Sequence, residues 1–222
     1  MKKPVFISLF LSLFVTAFSQ QPQFSHSTDA SVMRSFRKDQ QFWAFGQTIT
    51  GHFHFSPKNG AYAWLTYYTN GKFNNHVTAG AKSILTTPTE IHYLNRAALL
   101  YKHISIGWKH YFKGAYNNED AWNLYGYAGF GLLLGAVENK HSVAIDTANY
   151  YLPLLSGKAN FKRLTYDLGL GYERPMGGDI SFYTEARVFI PAMGYPSRYL
   201  FVNDRAPLAA SVNIGLRLLF DY

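Results

Sequence analysis

The sequence predicts an all-β fold, an antiparallel up-and-down eight-stranded transmembrane β-barrel, and three observations carry that prediction. At the end of the chain Leu208, Ala210, Val212, Ile214, Leu216, Leu218, Phe220 and Tyr222 are apolar. Ala209, Ser211, Asn213, Gly215, Arg217 and Asp221 between them are small, polar or charged, with Leu219 the exception. This period of two belongs to a strand whose faces meet different media, and its length suits the roughly 9 to 11 tilted residues that cross a bilayer. Aromatic residues make up 18% of the chain and charged ones only 15%, against about a quarter charged in soluble domains. Finally, the non-apolar strand faces carry balanced charge, Lys82, Lys109, Arg187 and Arg217 against Asp167, Glu173, Glu185 and Asp221. That balance fits a packed interior, where an unpaired charge is costly.

The elements follow in order. Lys2-Lys3, the apolar run Val5 to Phe14 and Ala17-Phe18-Ser19 before Gln20 have the order of a secretory signal peptide, so residues 1–19 are read as the leader that is removed. Residues 20–40 are polar and read as a periplasmic leader, and 41–222 as the barrel. Cysteine is absent, which excludes a lipoprotein anchor and disulfide staples. The formal net charge is +8, but no helix-turn-helix pattern, zinc spacing or basic run accompanies it, so nucleic acid is not an expected partner.

The first strand is read from Trp43, Phe45, Ile49, Phe53 and Phe55, with Asn59-Gly60 in the turn after it. Strands follow at about 61–69, 76–85, 97–112, 122–137, 164–173, 180–190 and 208–222, with 86–96 a connection. Odd-numbered connections are then extracellular, and the two longest, after the fifth and seventh strands, fall on that side. The outward faces of the last four strands carry no charge. Trp43, Phe45, Trp108, Phe112, Trp122, Tyr172, Phe182 and Phe220 fall at predicted periplasmic ends, as an interfacial girdle would place them. A turn centred on Met176 to Gly178 would set Asp167 opposite Arg187. Lys82, Lys109, Asp167, Glu185, Arg187 and Arg217 form the core of the expected interior network.

The signal peptide, the eight alternating strands, the turn Pro175 to Asp179 and the terminal Phe220-Asp-Tyr222 together resemble a small outer-membrane β-barrel protein of a Gram-negative bacterium. The Phe18-Ser19-Gln20 junction and the Tyr- and Asn-rich composition look like the Bacteroidota versions. The resemblance implies outer-membrane localisation and a monomer in contact with membrane lipid and lipopolysaccharide. It also implies that Phe220 and Tyr222 are an assembly signal read by the barrel assembly machinery.

The expected role is structural, adhesive or surface-interacting, without catalysis, cofactor or metal. Lys140, Lys158, Arg198 and Arg205, in or beside the two longest loops, are the candidate lipopolysaccharide contacts. Two alternatives remain open. His54 and Ser56 have the two-residue spacing of lipid A deacylase barrels, in which both side chains share a face as nucleophile and base. Pro57 departs from that family's pattern, and no acidic partner is evident. A secreted lipocalin-like carrier would show the same alternation with the apolar face turned inward.

Overall fold

A computed structural model of the chain describes residues 23–192, 198–200 and 208–220; residues 1–19, read as a signal peptide, and Arg205, Asp221 and Tyr222 lie outside them. Nine strands form one antiparallel sheet: β1 (Gln23–Ser35), β2 (Trp43–Ser56), β3 (Asn59–Ala81), β4 (Glu90–Lys113), β5 (Asn123–His141), the two-residue β6 (Tyr150–Tyr151), β7 (Gly157–Gly177), β8 (Ile180–Pro191) and β9 (Ala209–Phe220). The sheet runs β2-β1-β9-β8-β7-β5-β4-β3, and a further β2–β3 pairing closes it. Every long strand therefore pairs on both sides and the barrel has no open edge around its body. The one helical turn among the described residues is a 3-10 turn, Lys38–Gln40.

The strand count agrees with the sequence reading because two departures offset one another. The segment read as a periplasmic leader forms β1, paired from Gln23 to Arg34 with β2 and from Phe24 to Ser35 with β9. Its alternation is faint. Ser25, Ser27, Asp29, Ser31 and Ser35 point inward, small because bulky side chains of other strands fill the space beside them. The strands read at 61–69 and 76–85 are one strand, β3. Asn70-Gly71 is no turn: the β3–β4 register shifts between Tyr68 and Gly71 and then continues to Gly80, the signature of a β-bulge. A Cβ at Gly71 would lie 2.5 Å from the Phe42 ring, so glycine here serves close approach. Part of the predicted connection 86–96 also belongs to a strand, since β4 begins at Glu90.

Adding β1 reverses the direction of β2. The connections 57–58, 114–122 and 178–179 now share one end of the barrel, and 36–42, 82–89, 142–156 and 192–208 share the other. Trp43 and Phe45 thus lie at the long-loop end, opposite to expectation. Phe53, Phe55, Trp108, Phe112, Trp122, Tyr172, Phe182 and Phe220 lie toward the short-turn end, with contacts such as Phe55–Trp108 at 5.3 Å and Phe24–Phe220 at 5.9 Å. The β7–β8 turn is later than expected. Gly177 and Gly178 take φ of 118° and 56°, a bulge falls between Pro175 and Gly177, and Gly169 rather than Asp167 faces Arg187.

The barrel is inverted relative to a soluble protein. Outward are Ile49, Leu65, Ile104, Ile106, Phe130, Leu168, Leu170, Val212, Ile214 and Leu216, all exposed; inward are Ser27, Asp29, Thr48, His52, Glu173, Glu185, Arg187 and Asn213, all buried. A lipocalin-like carrier needs the opposite arrangement. On β7 the outward face carries no charge between Lys162 and Arg174. At ~3.3 Å per residue and a tilt of ~40°, that interval spans ~30 Å along the barrel axis, the thickness of a bilayer core.

Candidate functional site

The polar lumen is the strongest concentration of chemistry in the molecule. Its organising residue is Arg187 on β8, whose Nε donates to Glu185 Oε2 at 2.9 Å and whose terminal nitrogens reach Asp29 Oδ2 at 3.2 Å and Thr48 Oγ1 at 3.4 Å. The guanidinium also stands 4.3 Å from the Trp64 ring centroid. Glu185 accepts further hydrogen bonds from the hydroxyls of Tyr125 and Tyr127, and Asp29 accepts from Tyr183 at 2.9 Å. The Asn213 amide fits with its oxygen 2.8 Å from Arg187 Nε and its nitrogen 2.8 Å from Ser31 Oγ. Each charge is both paired and hydrogen-bonded, the condition under which burial is tolerated.

A second cluster lies nearer the short-turn end. Arg217 on β9 donates bidentately to Glu173 on β7, Nε to Oε2 at 2.9 Å and a terminal nitrogen to Oε1 at 2.8 Å, and also to the Tyr116 carbonyl at 2.7 Å. Lys109 Nζ lies 3.9 Å from Glu173 Oε2 and 3.7 Å from the Tyr125 ring centroid. Tyr116, in the connection 114–122, is buried and stacks on His54 with ring centroids 4.2 Å apart. The connection therefore folds into the mouth of the barrel. Toward the long-loop end His103 Nε2 lies 3.3 Å from Asp167 and 3.1 Å from Thr165 Oγ1, while its Nδ1 accepts from Trp64.

Between these clusters aromatic rings fill the bore: Tyr62 stacks on Trp64 at 4.4 Å, and Tyr127, Tyr125 and Tyr111 follow at 5.0–5.3 Å steps. Inward glycines on facing strands make the room. A Cβ at Gly131 would meet Asp167 Oδ2 and His103 Nε2 at 2.2 Å, and one at Gly171 would meet the Tyr125 ring at 2.2 Å. On β5, Gly129 likewise makes room for the Tyr62 hydroxyl and Gly135 for the Phe161 ring.

Of the expected interior network, Lys109, Asp167, Glu173, Glu185, Arg187 and Arg217 are buried. Lys82 is not. It lies just past the end of β3, exposed, donating to the Thr147 carbonyl at 2.7 Å beside the Tyr151 ring. Asp167 does not pair with Arg187, because the later turn shifts the register by two residues. Asp29, which the sequence reading left in the leader, takes that place. Arg163 on β7 is also turned inward, so among the described residues the buried set holds four acids and four bases, Asp29, Asp167, Glu173 and Glu185 with Lys109, Arg163, Arg187 and Arg217.

The alternative catalytic pair is not assembled. His54 lies inside the barrel toward the short-turn end. Its Nε2 contacts Ser25 Oγ on β1 at 2.8 Å, whereas Ser56 Oγ accepts from the Asn59 backbone and side chain at 3.1 and 3.2 Å. His52 makes the matching contact to Ser27 at 3.1 Å. Among the described residues no acceptor meets Nδ1 of His52 or His54, so neither has the orienting acid of a nucleophile–base–acid set there.

The outer surface carries the other expected residues. Phe220 closes β9 against Phe24. Glu138 holds Lys140 at 3.3 Å and Lys158 at 3.5 Å on the outward face of β5 and β7. Arg198 is exposed, its carbonyl bonded to Leu155 N at 2.9 Å.

No family model matches the chain, and no curated protein sequence matches it. Solved structures do resemble it in fold: Neisserial surface protein A, at TM-score 0.57 and 11% identity; a major outer membrane protein from Thermus thermophilus, at 0.54 and 9%; and Ail, the attachment invasion locus protein of Yersinia pestis, at 0.51 and 11%. Each comparison covers 90% of this chain and 100% of the other. Together with the closed antiparallel sheet, these similarities give the architecture as an up-and-down β-barrel of the eight-stranded outer-membrane type.

Proposed function

We propose that this chain is an outer-membrane barrel of a Gram-negative bacterium with a structural, adhesive or surface-interacting role and no catalytic one. The observation that carries the reading is the inverted barrel: a band of uncharged, exposed apolar side chains surrounds a lumen packed with paired charges and aromatic rings. Such a wall is stable in hydrocarbon, where closure satisfies the backbone. A plugged bore leaves the loops as the surface that works. Barrels of similar fold include a surface protein and an attachment protein, which agrees with a role at the cell surface. The Phe18-Ser19-Gln20 junction and the Tyr- and Asn-rich composition support a place among the Bacteroidota versions. In this reading the barrel is a monomer, its terminal aromatics are recognised by the assembly machinery, and the short-turn end faces the periplasm.

The absence of native cysteine makes the orientation directly testable. In intact cells Thr147→Cys, in the long loop 142–156, is expected to react with a membrane-impermeant maleimide. Asn117→Cys, in the connection 114–122, is expected to react only after the outer membrane is permeabilised. Equal labelling of both in intact cells would refute the placement. The hydrolase alternative fails if cells expressing His54→Ala and wild-type protein show the same lipid A acylation as cells lacking both.

A further inference from the structure

Above the apolar band β3, β4, β5 and β7 continue beyond the other strands as a tall wall, and its outward face is strongly basic. Register places the cations. Lys102, Leu134 and Lys162 form one cross-strand row, and Lys72, Ala98, Glu138 and Lys158 form another closer to the loops, with Arg96 beside Lys140 in the next. Glu138 is the one outward acid in these rows among the described residues, and it is already engaged by Lys140 and Lys158. A groove crosses the same surface, floored by Leu100, Ala136 and Asn160, with Lys102 and Lys162 at one end and the Lys158–Glu138 pair at the other. The small side chains of Ala98 and Ala136 make it concave. Directly below, Ile104, Leu132 and Leu164 share a row on the bilayer-facing band.

Resting on the outer-membrane reading, we infer that this groove is a binding site for a lipid headgroup carrying two phosphates, a phosphorylated glycolipid of the surrounding leaflet. Its acyl chains would descend over Ile104, Leu132 and Leu164. Two features select this occupant. Between Lys102 and Lys162 the groove continues along β5 through Ala136, Leu134 and Leu132 into the hydrocarbon-facing surface, an apolar path that a soluble anion would not use. The cations also extend beyond the reach of one phosphate: Lys102 and Lys162 face each other across β5, while Arg96 lies six residues from Lys102, ~20 Å along the strand. Lysines at this level bury their stems on the apolar band and raise their ammonium groups to the headgroups. The site shares Lys158 and Lys140 with the surface expected to meet lipopolysaccharide, but centres on Lys102 and Lys162, on the barrel wall rather than in the loops.

The test uses the full-length barrel purified in detergent, comparing wild type, Lys102→Gln/Lys158→Gln/Lys162→Gln, and Lys58→Gln/Lys113→Gln at the short-turn end. Native mass spectrometry reads retention of added bisphosphorylated lipid A, dephosphorylated lipid A and phosphatidylglycerol, with inorganic phosphate as competitor. Expected are a stable complex of wild type and the short-turn variant with bisphosphorylated lipid A, a loss of at least tenfold in the triple variant, and weak retention of the other lipids. Equal retention by the triple variant, equal retention of phosphatidylglycerol, or displacement by millimolar inorganic phosphate would each overturn the inference. Gel mobility before and after boiling verifies that each variant is folded. A folded barrel recovered in the outer membrane whose triple variant still retains lipid A refutes this site alone; a chain that never reaches that membrane refutes the reading beneath it.

Discussion

Arg187 is where side chains from five strands meet, Asp29 from β1, Thr48 from β2, Trp64 from β3, Glu185 from β8 and Asn213 from β9. Removing the cation would leave two carboxylates buried without their counter-charge, which costs far more than losing an exposed ion pair. Arg187→Met is therefore expected to destabilise the barrel by ~3–5 kcal/mol, read as a lower urea midpoint of the detergent-refolded protein. An unchanged midpoint would mean the network is not closed as described. Gly131 gives a steric counterpart. Gly131→Val should abolish the folded, fast-migrating form, because its first added carbon meets Asp167 and His103, while Gly80→Ala should leave it intact, since a Cβ there meets nothing within 4 Å. The identity of most network members was legible from alternation and charge sign. Their partners were not, because pairing depends on a bulge and on the two positive-φ glycines, Gly177 and Gly178, that delay the turn.

At the scale of the element, β1 makes the sharpest distinction between reading and structure. Strong alternation appears where bulky apolar residues face lipid and glycines or charges face the lumen, as in β7 and β9. In β1 the outward residues include His26, Thr28 and Ala30, and the inward serines accommodate bulky partners, Ser25 against His54 and Ser31 against Tyr68 at 2.9 Å. The hydropathy contrast therefore fades although the strand pairs along its length. Deleting 23–35 is expected to abolish the heat-modifiable folded form, since β9 and β2 would lose their common neighbour; a dispensable leader could be removed without effect. β3 teaches the converse: Asn70-Gly71 has turn chemistry, yet the adjacent β4 offers partners on both sides of it, and pairing absorbs it as a bulge.

For the whole molecule, the sequence contained the medium on each face before it disclosed the path of the chain. The apolar exterior and balanced interior follow from residue type at alternating positions, while the direction of β2, and with it the ends at which Trp43 and His54 lie, follows only once β1 is counted. The packed bore predicts that the purified protein in planar bilayers gives no steady open-channel steps; porin-like conductance would contradict the column from Trp64 to Tyr111. The central claim is that the apolar face meets lipid. Its most direct measurement is fractionation of cells expressing the chain, followed by gel mobility of the recovered protein with and without boiling. The account predicts recovery in the outer membrane, released by detergent, as a compact band that shifts on heating. A product soluble without detergent, or a membrane-associated one with the same mobility before and after boiling, would contradict it.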